Sequence, residues 1–148
     1  MVVKGKRGFE DLDAYKLALK VVKEAYRVSK SLPTDEKYNL IGQIRRASVS
    51  ITLNIAEGYG RYHYLDSLRF YYIARGSLEE TLSAFIVCAE LGYTTSELKT
   101  QRELCGNAIR ALNGYIRYVR NQKQGYKEYG ERAIKEETTF YDATPSDY

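Results

Sequence analysis

The chain has 148 residues and sets 23 Lys and Arg against 19 Asp and Glu, a formal charge of +4; that length predicts one domain burying roughly two-thirds of its unfolded surface. No apolar run approaches the ~20 residues of a membrane span, Met1–Phe9 lacks the apolar stretch of a signal sequence, and one His with two Cys at no metal spacing leaves few ligands for zinc. A cytoplasmic, reduced domain with no cofactor, no metal and no membrane contact is therefore expected, and because Tyr126–Tyr148 holds three basic and six acidic residues, residues 1–125 carry +7 and point to a polyanionic partner.

The first predicted helix runs from Asp11 to Ser31 and stops at Leu32-Pro33, because proline disfavours helical geometry in the residue before it. Leu12, Tyr15, Leu19, Val22 and Tyr26 recur at helical spacing and read as its core stripe. Beside them Lys16, Lys20, Lys23, Arg27 and Lys30 fall within a strip of roughly 80°.

The second predicted helix starts at Thr34 as N-cap, with Asp35 and Glu36 at the positive end of the dipole, and ends near Gly58–Gly60. Ile41, Ile44, Ile51 and Ile55 point one way, with Val49 and Leu53 on another side. Between them runs a strip of Gln43, Arg46, Ser50, Asn54, Glu57 and Arg61, mostly small or uncharged. Exposed helix faces usually carry long charged residues, so this strip reads equally as a subunit interface or as an internal polar network.

The third predicted helix, Tyr64 to Leu91, is apolar on two sides. Leu68, Tyr71, Leu78, Leu82, Phe85 and Ala89 form one face, and Phe70, Ile73, Ala74, Ala84, Cys88 and Leu91 another. Only a narrow polar strip through Arg69, Gly76, Glu79, Glu80 and Ser83 separates them. One intramolecular core cannot cover both faces in a bundle of this size, so self-association is the simpler expectation, with a docked tail over part of the second face as the alternative. Arg75 follows Leu68 and Tyr71 and would need a partner if buried, with Glu57 or Glu79 the natural candidate for a structural ion pair.

Gly92 ends that helix, and Thr94 with Glu97 reads as the capping box of a fourth helix reaching Gln124. Leu98, Cys105, Ile109, Leu112, Ile116 and Val119 face inward, while Lys99, Arg102, Arg110, Arg117 and Arg120 share a second strip of roughly 80° that also takes in Asn113. Loops this short favour antiparallel neighbours. The expected fold is all-α, an up-down-up-down four-helix bundle over residues 11–124, preceded by an arm over 1–10 and followed by an acidic, tyrosine-rich tail over 125–148. That tail either extends the last helix or is partly disordered. The two basic strips, on helices that neighbour each other in such a bundle, are expected to make one surface for phosphates.

No catalytic constellation emerges. His63 stands by itself near a turn, Glu79 and Glu80 diverge on a helix, and both cysteines fall on faces expected to be buried. Gly58-Tyr59-Gly60 lacks the Lys-Ser/Thr ending of a phosphate loop. Of the fifteen tyrosines, Tyr59, Tyr62 and Tyr64 beside Arg61 could stack on unpaired bases, although packing or interface roles account better for most.

Several stretches together are similar to a known family. Gln43-Ile44-Arg45-Arg46-Ala47, Ser50-Ile51 and Asn54-Ile55-Ala56-Glu57-Gly58 resemble the signature of four-helix-bundle proteins encoded in intervening sequences of bacterial large-subunit ribosomal RNA genes. Ala74-Arg75-Gly76-Ser77-Leu78-Glu79-Glu80, Leu91-Gly92-Tyr93 and the opening Phe9-Glu10-Asp11-Leu12 fit the same family in order. The resemblance implies a ring-like homopentamer with a central channel. The same bundle and pentamer are shared by the accessory variability protein of diversity-generating retroelements, a basic barrel that binds a reverse transcriptase and its template RNA; the Asn-Ile-Ala-Glu-Gly motif favours the intervening-sequence branch. The expected function is a non-enzymatic oligomeric bundle binding RNA or other nucleic acid, and the alternative is an accessory scaffold for a reverse transcriptase.

Overall fold

The computed structural model describes residues 8–122; the tail and most of the arm lie outside them. Four helices follow in order: α1 Asp13–Ser31, α2 Leu40–Tyr59, α3 Tyr64–Glu90 and α4 Lys99–Gln122. Each packs on the next, and α4 closes against α1. Contacts run in opposite senses along each pair. In α3 and α4, Tyr71 meets Tyr115 and Arg75 meets Asn113, while in α2 and α3, Ser50 meets Ser77 and Gly58 approaches Tyr71. The described residues therefore form an all-α, antiparallel up-down-up-down bundle.

The core is made by Ile44, Ile51 and Ile55 of α2, Leu68, Tyr71, Leu78 and Phe85 of α3, and Cys105, Ile109, Leu112 and Ile116 of α4. Those positions match the apolar faces expected from the sequence. In α1 the core stripe is different: Ala14, Ala18, Val21, Ala25 and Val28 are buried, Leu19 is exposed, and Leu12, Tyr15, Val22 and Tyr26 are half-buried. The two stripes lie roughly 110° apart around the helix. Small side chains let α1 approach α2 and α4 closely, and the bulky ones sit at the margin, where there is room for them.

Two helix starts also differ from expectation. Thr34–Glu36 form a single 3-10 turn instead of the first turn of α2. Asn39 then leaves helical geometry, with φ −129° and ψ −104°, so α2 begins at Leu40. The Leu40 amide donates to Glu36 Oε2 at 3.2 Å, so a side chain from the preceding turn satisfies one of the orphan donors of the helix start. The Thr94–Glu97 capping box does not form either. Helix α4 begins at Lys99, the Thr94 hydroxyl is buried without a hydrogen-bond partner among the described residues, and Thr95 Oγ1 reaches the Glu97 carbonyl at 3.4 Å. At the end of α3 the expectation holds. Gly92 takes φ +77°, its amide donates to Ala89 O at 3.0 Å and the Tyr93 amide donates to Cys88 O at 2.9 Å, which is a Schellman closure needing glycine at the left-handed position.

Gly58 answers a different requirement. A Cβ there would stand 2.6 Å from the Tyr71 ring and 3.0 Å from the Ser67 carbonyl oxygen. The last turn of α2 thus presses against the first turns of α3.

Candidate nucleic-acid interface

Helix α1 meets its neighbours through different sides. Glu24 accepts from Gln101 Nε2 of α4 at 2.9 Å, whereas Ser29 Oγ accepts from Arg45 Nε of α2 at 2.8 Å. Arg45 also lies 4.9 Å over the Tyr26 ring. Between these two seams, Lys16, Lys20, Lys23, Arg27 and Lys30 all point outward and are exposed. Arg27 is partly neutralised, by a bidentate contact with Glu24.

On α4, Lys99, Arg102, Arg110 and Arg117 are exposed and Arg120 is half-buried. Arg110 folds back along the helix over Gly106 and donates to Asn107 Oδ1 at 2.5 Å. Apart from Arg27, none of the exposed cations on these two strips has a carboxylate within ion-pair distance among the described residues. Asn113, assigned by spacing to the outer strip, is only 7% exposed. It faces α3, and Arg102 and Arg120 share its side of the helix. The α4 strip therefore leans toward α3 and away from α1. Between the two strips, the α1–α4 seam holds a cavity of about 390 Å³ lined by Asp11–Ala14, Ala111, Gly114, Tyr115 and Tyr118. In place of the expected single basic surface, the bundle presents two separate basic faces.

The polar strip of α2 divides in the structure. The Ser50 and Ser77 hydroxyls meet at 3.0 Å across the α2–α3 seam, and Asn54 Nδ2 donates to Ser50 O at 2.8 Å and Ser50 Oγ at 3.0 Å. These residues form an internal network. Gln43, Arg46 and Glu57 stay exposed, with Glu57 holding Arg61 at 2.6 Å.

Arg75 does not take either expected carboxylate. It donates to Asn113 Oδ1 at 3.1 Å and lies 5.1 Å over the Tyr72 ring. A neutral acceptor on the adjacent helix and an aromatic face stand where a carboxylate was expected. Glu79 points elsewhere, and its buried Oε1 has no hydrogen-bond partner among the described residues.

A model of the 23S rRNA-intervening sequence protein family matches residues 10–114. The chain belongs to that family. No curated protein matches it. The family match spans α1, α2, α3 and most of α4, and so covers the Gln43–Gly58 and Ala74–Glu80 segments that carry the polar network and Arg75.

In this member of the family, both thiols are buried. Burial, with Glu79 nearby, pushes the Cys105 thiol up to about 12, and burial likewise raises Cys88. Neither is poised as a thiolate nucleophile. Among the described residues no group of three or more His, Cys, Asp and Glu side chains could hold a metal ion, and no helix is long and apolar enough to cross a membrane.

Of the second apolar face expected on α3, Ala74 and Cys88 are buried within the single chain, whereas Ile73 and Leu91 are exposed. Leu53, Ile73, Val87 and Leu91 are exposed, Leu53 by 63% and Leu91 by 54%. All four lie on the outer side of the α2–α3 pair, where α3 also exposes Arg69, Gly76, Glu80 and Ser83. The signal in the sequence was the second apolar face of α3, to which Val49 and Leu53 of α2 add.

Proposed function

We propose that this chain is a non-enzymatic, homo-oligomeric helical bundle that binds RNA or other nucleic acid through the cations on the outer faces of α1 and α4. The observation that carries this reading is the exposure of Lys16, Lys20, Lys23, Lys30, Lys99, Arg102, Arg110 and Arg117 with no carboxylate in ion-pair range among the described residues. Lysines and arginines in such lines attract phosphates independently of sequence and release counterions on binding. The outer α2–α3 face, with Leu53, Ile73, Val87 and Leu91 in solvent, supports self-association; a ring-like pentamer is the assembly that the family resemblance suggests. Repeating the two basic faces around a ring would multiply weak phosphate contacts into useful avidity.

The test is the salt dependence of binding to a 20-base-pair RNA duplex. Affinity should fall steeply as salt rises. Arg102→Ala, Arg110→Ala and Arg117→Ala together should weaken binding and flatten the slope by about one unit for each phosphate no longer neutralised. Undetectable binding at low salt, or unchanged affinity in the triple variant, rejects this reading.

A further inference from the structure

A cavity of about 770 Å³ opens at the end of the bundle where α2 turns into α3 and α4 runs out. Its volume lies within the range of sites for small organic ligands. Buried Tyr64 and Tyr71 form its floor, and Tyr59, Tyr62 and Tyr118 stand at its mouth with 43%, 65% and 56% of their surface in solvent. Three large aromatic rings left in water around one opening are costly unless something covers them.

The rings are held in place. Tyr59 packs edge-on with Phe9 at 6.5 Å, Tyr62 with His63 at 4.8 Å, and Tyr71 with Tyr115 at 5.3 Å. Tyr118 is stacked on Tyr115 with 21° between the planes. With one face on Tyr115 and more than half its surface exposed, Tyr118 offers its other face to a further ring. The remaining lining is polar. Gln122 adds an amide with both donors and an acceptor, while the buried Tyr71 phenol is engaged with the Tyr115 hydroxyl. Arg61 at the rim lies 4.9 Å over the Phe70 ring and is already paired with Glu57, so the cavity is lined without a free charge from it.

We propose that this tyrosine-lined cavity receives an unpaired nucleobase, stacked on Tyr118 and Tyr62. Planar rings with phenol and amide hydrogen-bonding groups match a nucleobase better than an aliphatic ligand, which would leave the polar lining unsatisfied. A duplex keeps its bases stacked internally and cannot supply one, so the cavity discriminates single strands from duplex. The proposal rests on the nucleic-acid reading above and assigns it a second, chemically different contact.

The test uses the full chain, a single-stranded RNA hexamer carrying one 2-aminopurine, and a 20-base-pair RNA duplex. Binding of the hexamer should quench 2-aminopurine fluorescence. Tyr62→Ala with Tyr118→Ala should weaken hexamer binding roughly ten- to a hundred-fold and leave duplex binding unchanged, while Tyr62→Phe with Tyr118→Phe should retain both the quench and most of the affinity. Both side chains are more than half exposed, so the variants should keep the wild-type circular dichroism. Absence of a quench, hexamer affinity unmoved by the alanine pair, or equal weakening for hexamer and duplex overturns the cavity. Failure of the basic-face reading has a different signature: the Arg102, Arg110 and Arg117 triple variant binds both ligands as wild type does, while the tyrosine-dependent quench persists.

Discussion

Arg75 and Asn113 meet across the α3–α4 seam at 3.1 Å, with a guanidinium nitrogen donating to the Asn113 side-chain carbonyl. The asparagine is buried and the arginine half-buried over Tyr72. Removing the acceptor leaves a half-buried charged donor without its partner on α4. Asn113→Ala should therefore cost about 1.5–3 kcal/mol, read as a lower urea midpoint at unchanged slope. Arg75→Met with Asn113→Leu should recover much of that stability, because an apolar pair demands no hydrogen bonds.

Gly58→Ala tests the close approach of α2 to α3. The added methyl would meet the buried Tyr71 ring and the Ser67 carbonyl, neither of which can move freely. The expected cost is about 1–3 kcal/mol from overpacking, although the same substitution raises intrinsic helix propensity. Thermal unfolding should show a clear fall for Gly58→Ala and a modest rise for Gly76→Ala, where a Cβ would meet nothing within 4 Å and only the gain in helix propensity acts.

Alkaline pH should destabilise the fold through its buried thiols. In the unfolded chain Cys105 ionises near its ordinary 9.0, and in the fold only at about 12. The unfolded state loses its proton first, so stability is fully present below about pH 9 and declines as pH rises from 9 to 12. Burial of Cys88 acts in the same direction. Chemical denaturation at several pH values should show this decline, and Cys105→Ala should make it shallower. A flat profile in the parent protein would contradict the burial of these thiols.

The outer α2–α3 face makes an assembly prediction. Leu53→Asp with Ile73→Asp should shift the protein to a smaller species by light scattering, with its helical content retained. Both side chains are already exposed within the single chain, by 63% and 46%, so a shift in size with helical content retained would report on association and not on the fold. A wild-type protein that is monomeric at micromolar concentration would overturn this expectation.

The legible parts of the sequence were those governed by local chemistry. Leu32-Pro33 and Gly92 marked two of the turns because each acts on its own backbone; Gly58–Gly60 marked the third, although Gly60 keeps φ −76° and Gly58 is required by the approach of Tyr71. The inward faces of α2, α3 and α4 followed from large aliphatic residues at helical spacing. The core stripe of α1 was not legible, since its alanines carry little hydrophobic signal and their burial depends on how closely two other helices approach. Thr34 and Thr94 each have a side chain suited to capping, yet the chain turns before either helix begins, and the choice of start residue was made by neighbouring packing. Tyr93 illustrates this: its hydroxyl donates to Glu36 Oε1 at 3.0 Å, tying the α3–α4 connection to the turn before α2 across 57 residues.

Four helices, the family signature, the two lines of cations and the doubly apolar character of α3 could all be read along the chain, because each is a property of spacing within one segment. Packing was needed to separate the cation lines into two faces, to answer Arg75 with Asn113, and to gather Tyr59, Tyr62, Tyr71 and Tyr118 around one cavity. Those relationships join residues on different helices, and the rotation of each helix about its axis is set by what its neighbours can bury.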